Sequence, residues 1–220
     1  MKKVMILFTI WALAACQNMV TPKTPMIQVS DDLKKLVAPY QIGKPKYFVN
    51  KIILIYHSHN DKPMQIQYFI QQTDTPNIVY QTTLTQSYET KEFSFLGQWL
   101  SLRSESIAKN YTAKMNLVSY QQNMRDWQQA EVGTVFQYQQ NYFNLEESLG
   151  DTICQITSMV AAKTLHPNIK GQAKKVECVW EWDKRKKAIG YYLLDYHFYL
   201  PIETKIDDKT DVNSEITEFE

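Results

Sequence analysis

Glycine is scarce in this chain, with six among 220 residues. That scarcity leaves no Gly-rich phosphate loop, Walker motif or serine nucleophile elbow. It also argues against propellers and parallel β-helices, whose turns need repeated glycines. No apolar run after residue 16 is long enough to cross a bilayer as a helix. Neither sign of charge dominates: 24 basic side chains face 23 acidic ones. Such a balance gives no reason to expect nucleic acid as a partner. Long stretches of helical period are missing as well, and cysteine occurs only at positions 16, 154 and 178.

What is present begins at the N-terminus. MKKVMILFTIWALAAC has two lysines, an apolar run from Val4 to Ala12, and small residues before Cys16. A charged start, a short apolar stretch and a small-residue ending make an export signal. The ending Leu13-Ala14-Ala15-Cys16 resembles the lipobox of bacterial lipoproteins. The resemblance implies cleavage after residue 15 and acyl chains, palmitate among them, on Cys16. It also implies, with Gln17 rather than Asp following the cysteine, an anchor in the outer membrane, on its periplasmic face. With Cys16 so used, Cys154 and Cys178 form an even pair in an oxidising compartment, where a disulfide is the default.

Residues 16–30 hold prolines and polar side chains without a period and read as a lipidated tether. A short edge strand at 26–29 is the alternative there. Acids first and lysines after predict a short helix over 31–37, stopped by Pro39 and Gly43. From residue 46 the dominant period is two. Residues 47–56 form an apolar run. Met64, Ile66, Tyr68 and Ile70 alternate with Gln65, Gln67, Phe69 and Gln71, and Ile78, Tyr80, Thr82 and Leu84 repeat the pattern. Further strands are expected at 93–103 (bent at Gly97), 111–117, 132–140, 151–161, 176–182 and 189–200, with a helical turn carrying Met124 and Trp127 within 121–131. The last 18 residues carry seven acids against two lysines, and 203–220 reads as a disordered acidic tail. The expected domain spans 31–202. It is all-β: a single antiparallel β-sandwich or a curved, partly open barrel of about nine strands, with a short N-terminal helix.

Chemistry-bearing residues are few. His57, His59 and Asp61 follow the apolar strand and resemble the strand-then-HxHxD element of metallo-β-lactamase-like hydrolases. The resemblance implies a shared metal, which His166, His197 or Cys178 would complete. Lys62 stands where that family continues with histidine, and the same residues make an ordinary polar hairpin turn, which is the expectation adopted. Lys184, Arg185, Lys186 and Lys187, with Lys170, Lys174 and Lys175, form a basic cluster suited to lipid headgroups or an acidic partner, or to a solvated turn. Large residues on both faces of 189–200 imply a covering segment or an apolar binding surface. No catalytic residue, metal or cofactor is assigned. The expectation is a membrane-anchored protein that acts by binding an envelope partner. A carrier of an apolar ligand and a hydrolase using His57, His59 and Asp61 are the alternatives.

Overall fold

Alternation in the sequence becomes alternation across a wall. The computed structural model describes residues 26–40, 42–58, 61–143 and 149–220. Twelve strands occur among them: β1 Lys51–Ser58, β2 Met64–Gln72, β3 Ile78–Leu84, β4 Tyr88–Phe95, β5 Leu100–Ala108, β6 Tyr111–Gln122, β7 Val135–Phe143, β8 Leu149–Ala161, β9 Gln172–Trp180, β10 Asp183–Leu193, β11 Phe198–Ile206 and β12 Lys209–Phe219. Each pairs antiparallel with the next, and β12 returns to pair with β1 from Ile52↔Phe219 to Ser58↔Val212. The result is a closed up-and-down barrel without free edges. It replaces the expected sandwich or partly open barrel of about nine strands.

Three local features account for the difference. Residues 93–103 are not one bent strand, because Leu96 (φ 50°) and Gly97 (φ 70°) both adopt left-handed backbone and reverse the chain between β4 and β5. Residues 189–200 likewise break at the turn Leu194–Tyr196, with His197 at φ 49°. Residues 203–220 are not a disordered tail but the end of β11 and all of β12. Acids lie on the outer side of β12, with Glu218 paired to Lys51 at 2.6 Å, while Ser214, Ile216 and Phe219 are buried. A count of charges missed this period of two.

Odd-numbered strands rise from a lower end and even-numbered ones descend. Short turns therefore gather at the upper end and the long connections at the lower. The helix α1 Asp31–Val37 forms where expected and buries Leu33 and Val37 at the lower end. Its approach is fixed by Asp74, which accepts from the Val29 amide at 2.9 Å and from Lys34 at 3.0 Å. Ile27 bridges Thr73 in parallel, so 26–30 are docked on the barrel rather than part of a free tether.

The lower interior is filled by aromatic rings. Trp99 meets Trp127, Tyr138 and Tyr199 edge-on at centroid distances of 4.7, 5.0 and 4.9 Å. The β4–β5 turn crosses the barrel to β11: Tyr199 donates its amide to the Leu96 carbonyl at 2.8 Å, and Gln98 donates to the Tyr199 carbonyl at 3.0 Å. Gly97 permits this approach, since a Cβ there would lie 2.5 Å from the Phe198 ring. Lys174 is buried and its ammonium donates to the carbonyls of Trp127, Gln128 and Ala130 at 2.7, 2.8 and 2.6 Å. One side chain thus ties the 123–134 connection into the barrel floor.

Cys154 and Cys178 face each other across β8 and β9 and are disulfide-bonded, with Cα atoms 4.0 Å apart. Both are buried in the interior. The outer wall carries ion pairs instead, including Lys91–Glu89, Lys114–Glu105 and Lys175–Glu177.

Candidate functional site

One sector of the interior is polar across four adjacent strands. On β2–β5 the inward register runs Tyr68↔Thr83, Gln81↔Glu92 and Thr83↔Thr90, with Ser94 opposite Ser101. These side chains, with Tyr88 and Gln98, line a cavity of about 280 Å³. It runs along the wall from Tyr88, 40% exposed at the upper end, towards Gln98 in the lower turn. Threonine and serine suit this wall because β-branched and hydroxyl side chains pair across strands. Thr90 and Ser106 do so directly, with their hydroxyl oxygens 2.8 Å apart.

Glu92 is the chemical centre of this cavity. Its carboxylate accepts from the Ser101 hydroxyl at 2.8 Å and from the Gln81 side-chain amide. Burial pushes its pKa above the usual glutamate value, opposed by the hydrogen bonds from Ser101 and Gln81. The cavity wall contains no lysine, arginine or histidine to balance it. Burial also raises the phenol pKa values of Tyr68 and of Tyr142, which donates to the Ser101 carbonyl at 3.1 Å, so both stay neutral. The Gln81 amide oxygen is buried without a hydrogen-bond donor. A second hollow of about 410 Å³ lies along β6–β8, lined by Gln121, Gln122, Asn123, Gln137, Tyr138, Gln139 and Asp151.

The residues marked in the sequence fall elsewhere. His57 lies at the upper end of β1 opposite Asn213, exposed, and Asp61 is exposed beyond it; His59 lies outside the described residues. His166 and His197 belong to lower-end connections, and the His197 Nδ1 is 3.0 Å from the Asn77 amide oxygen. The length of the barrel therefore separates His57 from both. Cys178 is occupied by its disulfide. No group of three or more histidine, cysteine, aspartate or glutamate side chains able to hold a metal occurs among the described residues.

The basic cluster is divided too. β9 carries the chain from the lower end to the upper, so Lys170 and Lys174 lie a barrel length from Lys184, Arg185, Lys186 and Lys187. Arg185 pairs with Asp183 at 3.1 Å and Lys187 with Asp208, while Lys186 sits 5.6 Å from the Trp180 ring centre. The two-faced apolar stretch of β10 and β11 does have a covering segment. Ala162 and Ile169, from the β8–β9 connection, pack with Leu193, Phe198 and Leu200. Cys16 lies outside the described residues.

Sequence reading passed over Glu92, although a signal existed. Tyr88, Thr90, Glu92 and Ser94 alternate with Glu89, Lys91 and Phe93, so this strand has no continuous apolar face. In an all-β domain such a strand must turn one polar face inward. The same blindness inverted most of β3: Val79, Gln81 and Thr83 are buried, whereas Tyr80, Thr82 and Leu84 are only partly so, and Ile78 is buried at the start of the strand. No protein-family model, no curated protein and no solved structure matches this chain.

Proposed function

We propose that this chain is an acyl-anchored outer-membrane lipoprotein that acts by binding a small polar molecule inside its barrel. The observation that carries the reading is Glu92: a carboxyl group drawn into a polar cavity whose lining holds no protein cation. Isolated buried carboxylates weaken a fold, and binding sites are where such groups are kept. An apolar cargo does not suit the hydroxyl- and amide-lined wall.

The anchor reading rests on the lipobox and gains an orientation from the fold. Residues 26–37 join the barrel at its lower end. Acyl chains on Cys16 would hold that end towards the membrane, within the ~35 Å that ten extended residues span, and turn Tyr88 away from it. Substituting Cys16→Ser should release the protein from membranes without altering its fold; a variant that still sediments with the outer membrane refutes the anchor. For binding, a library of polar fragments is titrated and the Gln81 and Gln98 side-chain amide resonances are followed. Hits should bind the native chain and lose binding in Thr90→Met, which fills the cavity. Hits that map to the outer wall refute the site.

A second reading, recognition of an envelope protein, is favoured by large apolar side chains on the outer wall of β6–β8. Val118 is 58%, Phe143 62% and Ile153 40% exposed. In that case Phe143→Glu should abolish cross-linking to an envelope partner while leaving the cavity intact.

A further inference from the structure

We propose that the molecule held in the barrel is a hydroxylated amine of monosaccharide size, bound as its ammonium ion by Glu92. The inference rests on the cavity being the binding site, and it concerns which chemistry the cavity selects. Three features of the wall decide it. First, Glu92 is the ionisable carboxylate of the site, and no protein cation lines the cavity with it. A buried carboxylate is stabilised by an opposite charge within hydrogen-bonding distance, so a cationic guest supplies what the protein leaves out. Second, Tyr68 and Tyr88 belong to the same wall, and tyrosine ring faces attract ammonium groups. Third, the remaining wall is Thr83, Thr90, Ser94, Ser101 and two glutamines, with the Gln81 amide oxygen buried and undonated. Because Gln81 turns its NH₂ towards Glu92, that oxygen is left to accept from a guest hydroxyl or ammonium.

A bare metal ion fits these features less well. Calcium takes six to eight oxygen ligands, usually with several carboxylates, and this wall offers one. The cavity of about 280 Å³ equals roughly nine waters of liquid volume at about 30 Å³ each. That is far larger than an ion and lies near the lower limit of small-molecule sites. A neutral sugar would satisfy the hydroxyls yet leave Glu92 uncompensated.

The test uses three sugars built on the same pyranose ring: glucosamine, its N-acetyl derivative, which removes the charge and adds bulk, and glucose, which removes the charge at nearly the same size. Binding is read by calorimetry and by the Gln81 and Gln98 side-chain amide resonances. Glucosamine is expected to bind at least tenfold more tightly than the other two. Glu92→Gln, nearly the same shape without the charge, should erase that preference. The comparison within the native chain stands even if the variant folds poorly. Equal binding of all three sugars overturns the amine inference and leaves the cavity as a binding site. Absence of binding by all three overturns the inference too, and failure of the polar fragments above then removes the site as well.

Discussion

Lys174 offers the sharpest test of how the barrel floor is held. Its side chain is 1% exposed, and its ammonium donates to three backbone carbonyls, those of Trp127, Gln128 and Ala130. Burial draws its pKa below the ordinary lysine value, and the three acceptors oppose that by favouring the charged form. Replacing it with methionine keeps most of the apolar stem and removes only the donors. Each abandoned buried acceptor costs about 1–3 kcal/mol. Against this stands the recovered desolvation of one ammonium, several kcal/mol. The net loss expected for Lys174→Met is about 3 kcal/mol, since the carbonyls of a connecting segment regain only part of their hydration. In a domain of this size that corresponds to a fall in Tm of roughly 6–12 °C. Urea unfolding followed by far-UV circular dichroism measures it, with the midpoint lowered and the slope unchanged. Amide exchange should rise first in residues 126–130, and the emission of Trp127, now fully buried, should shift to the red. A methionine variant within 0.5 kcal/mol of the native protein, with exchange in that segment unchanged, would refute the clamp.

Three further outcomes follow from the closed wall and its cavity. Ending the chain after Ile206 removes β12, leaves two open edges and should give an aggregating, non-cooperative protein by calorimetry; a truncated chain that unfolds like the native one restores the disordered-tail reading. Reducing Cys154–Cys178, or replacing both by alanine, should lower stability by about 3.5 kcal/mol, the loop-closure value for a separation of 24 residues. An unchanged denaturation midpoint under reductant would count against the disulfide. Because burial raises the Glu92 pKa, the folded state binds more protons than the unfolded one between the ordinary and the raised value. Its contribution to stability is therefore full below the ordinary glutamate pKa and falls as pH rises through that window. The groups bonded to it are Gln81 and Ser101, with Tyr68 and Tyr142 neutral, so Glu92→Gln should flatten the profile and gain stability at neutral pH; a variant with the native pH slope would show that Glu92 is not the titrating group.

The elements legible in the sequence are those whose signal is local. The helix at 31–37 announces itself by acids before lysines, and β2 by its four outward side chains, Gln65, Gln67, Phe69 and Gln71, against Ile66, Tyr68 and Ile70. The cysteine pair was legible by elimination once Cys16 was set aside. Closure was not, because β1 and β12 lie some 160 residues apart, as the Lys51–Glu218 pair (separation 167) shows. Composition misled most where it was averaged: seven acids in the last 18 residues read as solvation, although their alternation with Val212, Ile216 and Phe219 carries the strand. The split at His197 was hidden because it rests on left-handed backbone at a residue other than glycine, where a sequence gives little warning, and Gly97 signalled only a bend because the left-handed Leu96 beside it gave no sign of a full reversal.

The position of the polar cavity follows from how the rest of the barrel is filled. A closed barrel of twelve strands encloses more volume than its inward side chains fill in simple layers. Here the lower end is closed by outside material: α1, the Trp127 connection held by Lys174, and a β4–β5 turn that reaches across to Tyr199. That turn belongs to the same strands whose inner faces carry Glu92, Ser94 and Ser101. Drawing it across the barrel gives the cavity a floor at Gln98. The aromatic plug and the polar cavity are thus two consequences of one reversal at Gly97. A substitution that loosens that reversal, such as Gly97→Ala against the Phe198 ring, should weaken binding at Glu92 as well as stability, although residue 97 does not line the cavity.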